Sequence, residues 1–144
     1  MLTLASSRRL PLPELVFFYG TLMSGFDRHK RNHLDDDLKF VERGWIGAAL
    51  FDLGLYPAAI PANDARVWGE VHELVDASAM LPVLDEIEGC SPDRPETSLY
   101  VRAKATVTCE SGAVVAAWVY FYNAPLGKAQ RIESGDYRRH LHVR

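Results

Sequence analysis

Cysteine is scarce in this sequence, and long apolar runs are missing from it. The 144 residues include two cysteines, Cys90 and Cys109, which are too few for the disulfide framework of a small secreted domain. We therefore expect two buried, reduced thiols, although the count alone also allows one bridge between them. No apolar run reaches the ~20 residues that a transmembrane helix needs. The sequence accordingly predicts a protein without membrane partners.

A basic excess is absent as well. Sixteen Lys and Arg against nineteen Asp and Glu give a net charge of -3, which argues against general affinity for nucleic acid. The length and the 48% hydrophobic content are typical of one folded domain. We place it at residues 14–137, between an N-terminal lead-in at 1–13 and a basic, frayed tail at 138–144. Because the first residues do not have the order of a signal peptide, we expect a cytoplasmic protein.

Several catalytic and cofactor motifs are also missing. There is no Gly-x-Ser-x-Gly elbow, so a serine hydrolase is unsupported, and neither a P-loop nor a Gly-x-Gly-x-x-Gly fingerprint indicates a nucleotide cofactor. His29 and His33 are four residues apart, but the basic residues between them make a poor metal site. We interpret that stretch as a solvated basic helix face. Cys90 is a poor nucleophile candidate, since the nearby Glu88 disfavours its thiolate.

The apolar patterns predict an α+β domain with a mostly antiparallel sheet, closed into a barrel that removes its edges. Strand-like patterns occur at residues 15–19, 38–60, 66–75, 101–109 and 114–122. The first of these ends at Gly20, as in a buried strand that runs into a tight loop. Asn63–Asp64 and Ser111–Gly112 are predicted turns, and the last segment, apolar on both faces, is a predicted central strand.

One longer helix is predicted over residues 80–88, because apolar residues recur there at spacings of four and three. Gly89 can end it in the left-handed conformation. Since Pro82 fits only the first turn of a helix, we expect the helix to begin near Ala79. A second, short helix is predicted near residues 28–34.

Three acids, Asp85, Glu86 and Glu88, fall in the last turn of the longer helix, where the helix dipole disfavours negative charge. A broken local rule often marks a functional site. A carboxyl group at this end, beside other acids, has its pKa raised towards the range useful for proton transfer. Because Leu84 and Ile87 define the inner face, we expect Glu88 to be buried and the other two acids to be more exposed. The alternative is that all three are solvated.

The loop after the first strand reads Tyr19-Gly20-Thr21-Leu22. A glycine here lets successive backbone N–H groups turn towards one point, an arrangement that binds a carboxylate or an oxyanion. The alternative is an ordinary turn at the end of a strand.

Together these segments resemble the γ-glutamylcyclotransferase-like superfamily, in particular its AIG2-like, γ-glutamylamine cyclotransferase-type bacterial members. The resemblance runs in order from about Val16 to Tyr137. It rests on residues 18–22, 56–58, 67–71, 84–90, 100–102 and 134–137. It implies a small mixed α+β fold around a mostly antiparallel closed β-barrel with a few short helices.

The resemblance also implies an activity, the release of 5-oxoproline from a γ-glutamyl amine or short γ-glutamyl peptide, with no metal and no organic cofactor. Glu88 would be the catalytic acid/base. The implied substrate-binding residues are Tyr19, Gly20, Thr21, Leu22, Tyr56, Pro57 and Tyr100. One departure from the pattern is a longer connection at residues 90–99, which could reshape the pocket. The alternative function is a non-catalytic binding module for a small carboxylate or amino-acid metabolite, although a binder has no need of Glu88 at the negative end of a helix.

Overall fold

Five strands close into a barrel in the computed structural model, which describes residues 13–32 and 34–143. The strands are β1 (Leu15–Phe18), β2 (Leu38–Asp52), β3 (Pro57–Leu74), β4 (Tyr100–Cys109) and β5 (Val114–Tyr122). They follow the ring order β1-β5-β4-β2-β3, and β3 pairs with β1 again. The β1–β5 pairing is parallel, whereas the other pairings of the ring are antiparallel. A short β6 (Gln130–Arg131) extends β2. The predicted α+β fold with a mostly antiparallel closed barrel is confirmed.

The position of β5 follows from its composition. This strand lies between β1 and β4, and Ala117 and Val119 are completely buried. Burying an apolar strand between two neighbours costs little free energy, because its side chains do not need water. The observed position confirms the prediction of a central strand at residues 114–122. Cys90 and Cys109 are both buried and free, as expected.

Helices flank the barrel. They are α1 (Asp27–Arg31), α2 (Ala77–Glu88) and α3 (Tyr137–Val143), with 3₁₀ turns at Leu34–Asp36 and Pro95–Thr97.

Helix α2 begins two residues before the predicted start, because Asp76 Oδ1 accepts a hydrogen bond from the backbone N–H of Ala79 at 3.3 Å and caps it. Pro82 is therefore inside the helix, on an exposed face where water can hydrate the carbonyl that lacks its donor. Gly89 ends the helix at φ 66°, as predicted. Within the described residues, no helix has the length and apolar character needed to cross a bilayer.

Two local predictions are wrong. Asn63–Asp64 does not end a strand, because β3 continues through it while the chain bulges out of the ladder: Ala48 pairs with Pro61, but the adjacent Gly47 pairs with Arg66. Residues 138–143 are not frayed either, since they belong to α3. Arg138 of this helix donates to the carbonyl of Ser24 at 2.9 Å, and Leu141 packs against the core. The lead-in at 1–12 and His33 lie outside the described residues.

The close approach of β1 to β3 requires a glycine at position 69. A methyl group on Gly69 would collide with the carbonyl oxygen of Phe18 and would lie 2.7 Å from the ring of Phe17. Because both contacts belong to fully packed residues, neither can move aside cheaply.

We expect Gly69→Ala to lower the free energy of unfolding by about 2 kcal/mol, as overpacking in a filled core does. Urea titration followed by tryptophan fluorescence measures this. Thr106→Ala, on an exposed position of β4, is the matched control and should change stability by less than about 0.5 kcal/mol. Equal stability of the two variants would contradict this account of the β1–β3 contact.

Candidate active site

One cavity brings together all eight residues that were expected to be catalytic or substrate-binding. It lies where the end of β1 and its loop meet the beginnings of β3 and β4 and the end of α2. Its lining residues are Phe17, Phe18, Tyr19, Gly20, Thr21, Leu22, Arg28, Tyr56, Pro57, Glu88, Tyr100 and Tyr120. The space not filled by protein, including the solvent at the mouth, is about 340 Å³. Sequence reasoning missed Phe17, Phe18, Arg28 and Tyr120.

Glu88 is the acid of this cavity. It is the last residue of α2, and its side chain is half-buried. Burial raises the pKa of its carboxyl group to about 7, against a smaller lowering by the positive charge of Arg28. Burial, which was expected for Glu88, is the dominant cause, whereas the neighbouring acids are not among the causes. No hydrogen-bond donor to this carboxyl group is present among the described residues, so it is free to exchange a proton with a ligand.

Arg28 joins the two sides of the cavity. It comes from α1, and its guanidinium donates from Nη1 to Thr21 Oγ1 at 2.9 Å and from Nη2 to the carbonyl oxygen of Ile87 at 3.0 Å. The first bond holds the loop after β1, and the second caps a carbonyl in the last turn of α2. A cation at the C-terminal end of a helix is favourable. Arg28 therefore supplies from a distant segment the basic group that the last turn of α2 itself lacks.

Close packing and hydrogen bonds fix the loop after β1. Gly20 is required there, because a Cβ atom would lie 2.8 Å from Cγ of Pro57. The hydroxyl of Tyr19 donates to the carbonyl of Tyr120 at 2.6 Å and accepts from the N–H of Ala59 at 3.3 Å. Burial raises the pKa of Tyr19 well above its usual value, so this hydroxyl stays protonated.

His29 holds the far end of that loop. Its Nδ1 lies 2.8 Å from the carbonyl oxygen of Leu22, and its Nε2 lies 2.7 Å from Oδ1 of Asp35. Only 3% of its surface is exposed. The interpretation of this stretch as a solvated basic face is therefore wrong for His29. Within the described chain, no three His, Cys, Asp or Glu side chains come together as metal ligands would.

Aromatic rings form one wall of the cavity. Tyr100 donates its hydroxyl proton to the carbonyl of Pro57 at 2.8 Å, and burial raises the pKa of its hydroxyl. Its ring packs at an angle against Tyr56, with the centroids 6.2 Å apart. The guanidinium carbon of Arg28 lies 5.9 Å from the centroid of Tyr56. This wall reduces the water around Glu88, which is the physical basis of its raised pKa.

Asp85 is buried, contrary to the prediction, with 6% of its surface exposed. Arg102 of β4 binds it with two hydrogen bonds, from Nε to Oδ1 at 2.8 Å and from Nη2 to Oδ2 at 3.1 Å. The hydroxyl of Tyr120 also donates to its Oδ1, at 2.7 Å. Asp85 thus attaches α2 to the outside of the barrel, while Glu86 is exposed as expected.

The connection at residues 90–99 forms a compact loop outside the cavity. Its Ser98 hydroxyl accepts from the N–H of Ser91 at 2.8 Å and donates to the carbonyl of Arg94 at 2.9 Å. None of these ten residues is among those that line the described cavity. The shape of the cavity is therefore set by the other segments. Cys90, at the start of this loop, has the pKa of its thiol raised by burial, which makes it a weak nucleophile.

The arrangement combines a proton acceptor that titrates near neutral pH with a glycine-containing loop and one cation. A carboxyl group with a pKa of about 7 can both take and return a proton at neutral pH. The cavity is thus suited to acid/base chemistry on a small polar molecule.

Comparisons with known proteins agree with one another. The family model described as "Gamma-glutamyl cyclotransferase, AIG2-like" matches residues 16–139. MJ1514 of Methanocaldococcus jannaschii, which is named after γ-glutamylcyclotransferase, is 33% identical over 130 residues, covering 87% of this chain and 96% of that protein. The crystal structure of an AIG2-like protein from Mus musculus superposes with a TM-score of 0.67 at 27% identity, covering 88% of this chain and 90% of the mouse chain. YkqA from Bacillus subtilis shares the fold, with a TM-score of 0.68 at 24% identity. The superposition covers 92% of this chain and 42% of YkqA.

The raised pKa of Glu88 predicts a pH-dependent cost to folding. The carboxyl group of a solvated glutamate has a pKa of 4.5, whereas that of Glu88 in the folded protein is about 7. The folded state therefore favours the protonated form. The cost is absent below pH 4.5, grows as the pH rises, and is complete above pH 7, where it reaches about 3 kcal/mol.

Glu88→Gln cannot ionise, so its stability relative to the wild type should increase by about this amount across that interval. Urea unfolding of both proteins at several pH values measures the difference, and other titrating groups cancel in it. A difference that stays constant with pH would show that Glu88 is not held in a desolvated site.

Removing the charge of Asp85 should destabilise the protein. Asp85→Asn leaves Arg102 without its partner in a mostly buried position, and we expect a loss of about 3 kcal/mol in the free energy of unfolding. Glu86→Gln, one residue away and exposed, should change it by less than about 0.5 kcal/mol. Thermal denaturation of both variants tests whether Asp85 attaches α2 as described.

Proposed function

Since this chain belongs to the AIG2-like γ-glutamyl cyclotransferase family, we propose that it releases 5-oxoproline from a γ-glutamyl amine or a short γ-glutamyl peptide. The observation that carries the proposal is the position of Glu88, with its pKa of about 7, in the same cavity as the loop 19–22.

The first step is a proton transfer. The α-ammonium of the substrate is not a nucleophile until it loses a proton, and Glu88 accepts it. A pKa near neutrality leaves Glu88 sufficiently deprotonated to act as a base and sufficiently acidic, once protonated, to act as a donor. The carboxylate of Glu88 attracts the ammonium of the substrate. No donor among the described residues competes for this carboxylate.

The second step is cyclisation. The freed amine attacks the γ-carbonyl carbon of the same molecule, which forms the C–N bond of a five-membered ring and places negative charge on the carbonyl oxygen. Because both reacting groups belong to one molecule, most of the entropic cost of bringing them together is avoided. Backbone N–H groups of Gly20 and its neighbours in the loop stabilise the oxygen.

The last step breaks the bond to the leaving amine. In the overall reaction the ammonium gives up two protons and the leaving amine gains two, so a single carboxyl group that accepts and donates in turn can carry both. Glu88 performs this exchange. The products are 5-oxoproline and a free amine, and the reaction needs no oxidant or reductant.

The direct test incubates the purified protein with γ-glutamyl amino acids, γ-glutamyl-ε-lysine and γ-glutamyl alkylamides. Mass spectrometry then follows the appearance of 5-oxoproline. The proposal expects turnover of at least one compound class and a kcat/KM that rises with pH through about 7 as Glu88 loses its proton. Binding of these compounds without any release of 5-oxoproline would favour the non-catalytic binding module instead.

Glu88→Gln keeps the shape of the side chain and removes the proton acceptor. We expect kcat to fall by ~10²-fold or more, while substrate still binds. Glu86→Gln in the same helical turn is the matched control and should retain wild-type kcat. If Glu88→Gln turned over the substrates at the wild-type rate, a different group would have to be the base.

A further inference from the structure

Arg28 makes no hydrogen bond to a charged group of the cavity among the described residues. Both acceptors of its hydrogen bonds are uncharged, the hydroxyl of Thr21 and the backbone carbonyl of Ile87. A guanidinium carries five N–H donors, so most of them remain after these two bonds. Among the described lining residues, Glu88 and Arg28 are the two that carry a full charge.

The charges of the cavity change when the substrate reacts. Before proton transfer, an anionic Glu88 faces the ammonium of a γ-glutamyl compound. After transfer, Glu88 is neutral, the substrate amine is neutral, and the α-carboxylate of the substrate has lost its internal counter-ion. The cavity then holds a single positive group, Arg28, and the glutamyl part of the ligand holds a single negative one. An ion pair between them stabilises the state that goes on to react.

We propose that Arg28 binds the α-carboxylate of the substrate and thereby restricts the cavity to ligands with a carboxylate beside the reacting nitrogen. This inference rests on the proposed function for the identity of the ligand. Binding of the carboxylate by Arg28 leaves the backbone N–H groups of the loop 19–22 to the carbonyl oxygen. The two anionic groups of the reacting molecule are thus received by different donors.

The position of Arg28 favours this role. Its guanidinium is fixed between the loop after β1 and the last turn of α2 and lies against the face of Tyr56. A planar group held in this way loses little freedom when it binds a carboxylate with two parallel hydrogen bonds. A lysine carries its three N–H donors on one nitrogen and has no planar fork, so it cannot bridge Thr21 and Ile87 and bind a carboxylate in parallel as well.

The test measures binding by calorimetry, which does not depend on turnover. Two ligands form a matched pair: 5-oxoproline, and 2-pyrrolidinone, which is the same ring without the carboxylate. For Arg28→Gln we expect the Kd of 5-oxoproline to rise by about 10-fold or more, as the loss of a charged hydrogen bond predicts, while the Kd of 2-pyrrolidinone stays unchanged. Arg28→Lys should fall between the wild type and Arg28→Gln. Arg131→Gln, on an exposed arginine that does not line the cavity, controls for the overall change in charge.

A third ligand, 4-aminobutanoyl-alanine, carries its only carboxylate on the leaving side. Its affinity is measured on the Glu88→Gln variant, because this substitution prevents turnover. The affinity should be the same in the double variant that also carries Arg28→Gln. Weaker binding of this ligand together with unchanged binding of 5-oxoproline would assign Arg28 to the leaving group and overturn the assignment to the α-carboxylate.

The remaining outcomes separate this inference from the proposed function. Arg28-dependent binding of 5-oxoproline by a protein that cyclises none of the γ-glutamyl compounds would support the inference and refute the cyclisation. Turnover of a γ-glutamyl compound, together with a 5-oxoproline affinity that Arg28→Gln leaves unchanged, would support the cyclisation and refute the inference. Equal weakening of both rings would show a purely structural role for Arg28, and failure of the wild type to bind 5-oxoproline would also overturn the inference.

Discussion

The attachment of α2 to the barrel is the constraint on which the site depends. Asp85 makes it, through two hydrogen bonds to Arg102 and one to Tyr120. Because Glu88 lies three residues further along the same helix, almost one turn, fixing Asp85 also fixes the carboxyl group in the cavity. Tyr120 extends the connection to the opposite side, since its carbonyl accepts the hydroxyl proton of Tyr19. One short network therefore sets the distance between the acid and the loop.

Two acids near the end of one helix have different surroundings and different roles. Asp85 is paired with Arg102 and serves packing, whereas Glu88 only senses the charge of Arg28 without a hydrogen bond to it. Full pairing would hold Glu88 ionised, and complete isolation would keep it protonated at neutral pH. Burial raises the pKa of Glu88, and the positive charge of Arg28 limits the rise, so that the pKa is about 7.

Local patterns were sufficient for most of the strands, for the central β5 and for the glycine that ends α2, because each of these depends on residues close together in sequence. The same patterns grouped Asp85 with the exposed acids. Its partner, Arg102, belongs to a different element, β4, and only the packing of α2 against β4 reveals the pair. Arg28 was missed for a related reason. Its acceptors are Thr21 and the distant Ile87, and a short basic helix shows nothing in its sequence of the groups that approach it.

The parallel pairing of β1 with β5 joins Val16 to Trp118, roughly a hundred residues apart. A contact between such distant segments carries a large loop-closure cost and forms slowly compared with the neighbouring hairpins. Tyr120 of β5 lines the cavity and donates a hydrogen bond to Asp85 of α2. Because β5 follows Glu88 in the sequence, the ribosome makes the acid before it makes the strand that completes its surroundings. The raised pKa of Glu88 is therefore a property of the closed barrel and not of helix α2 alone.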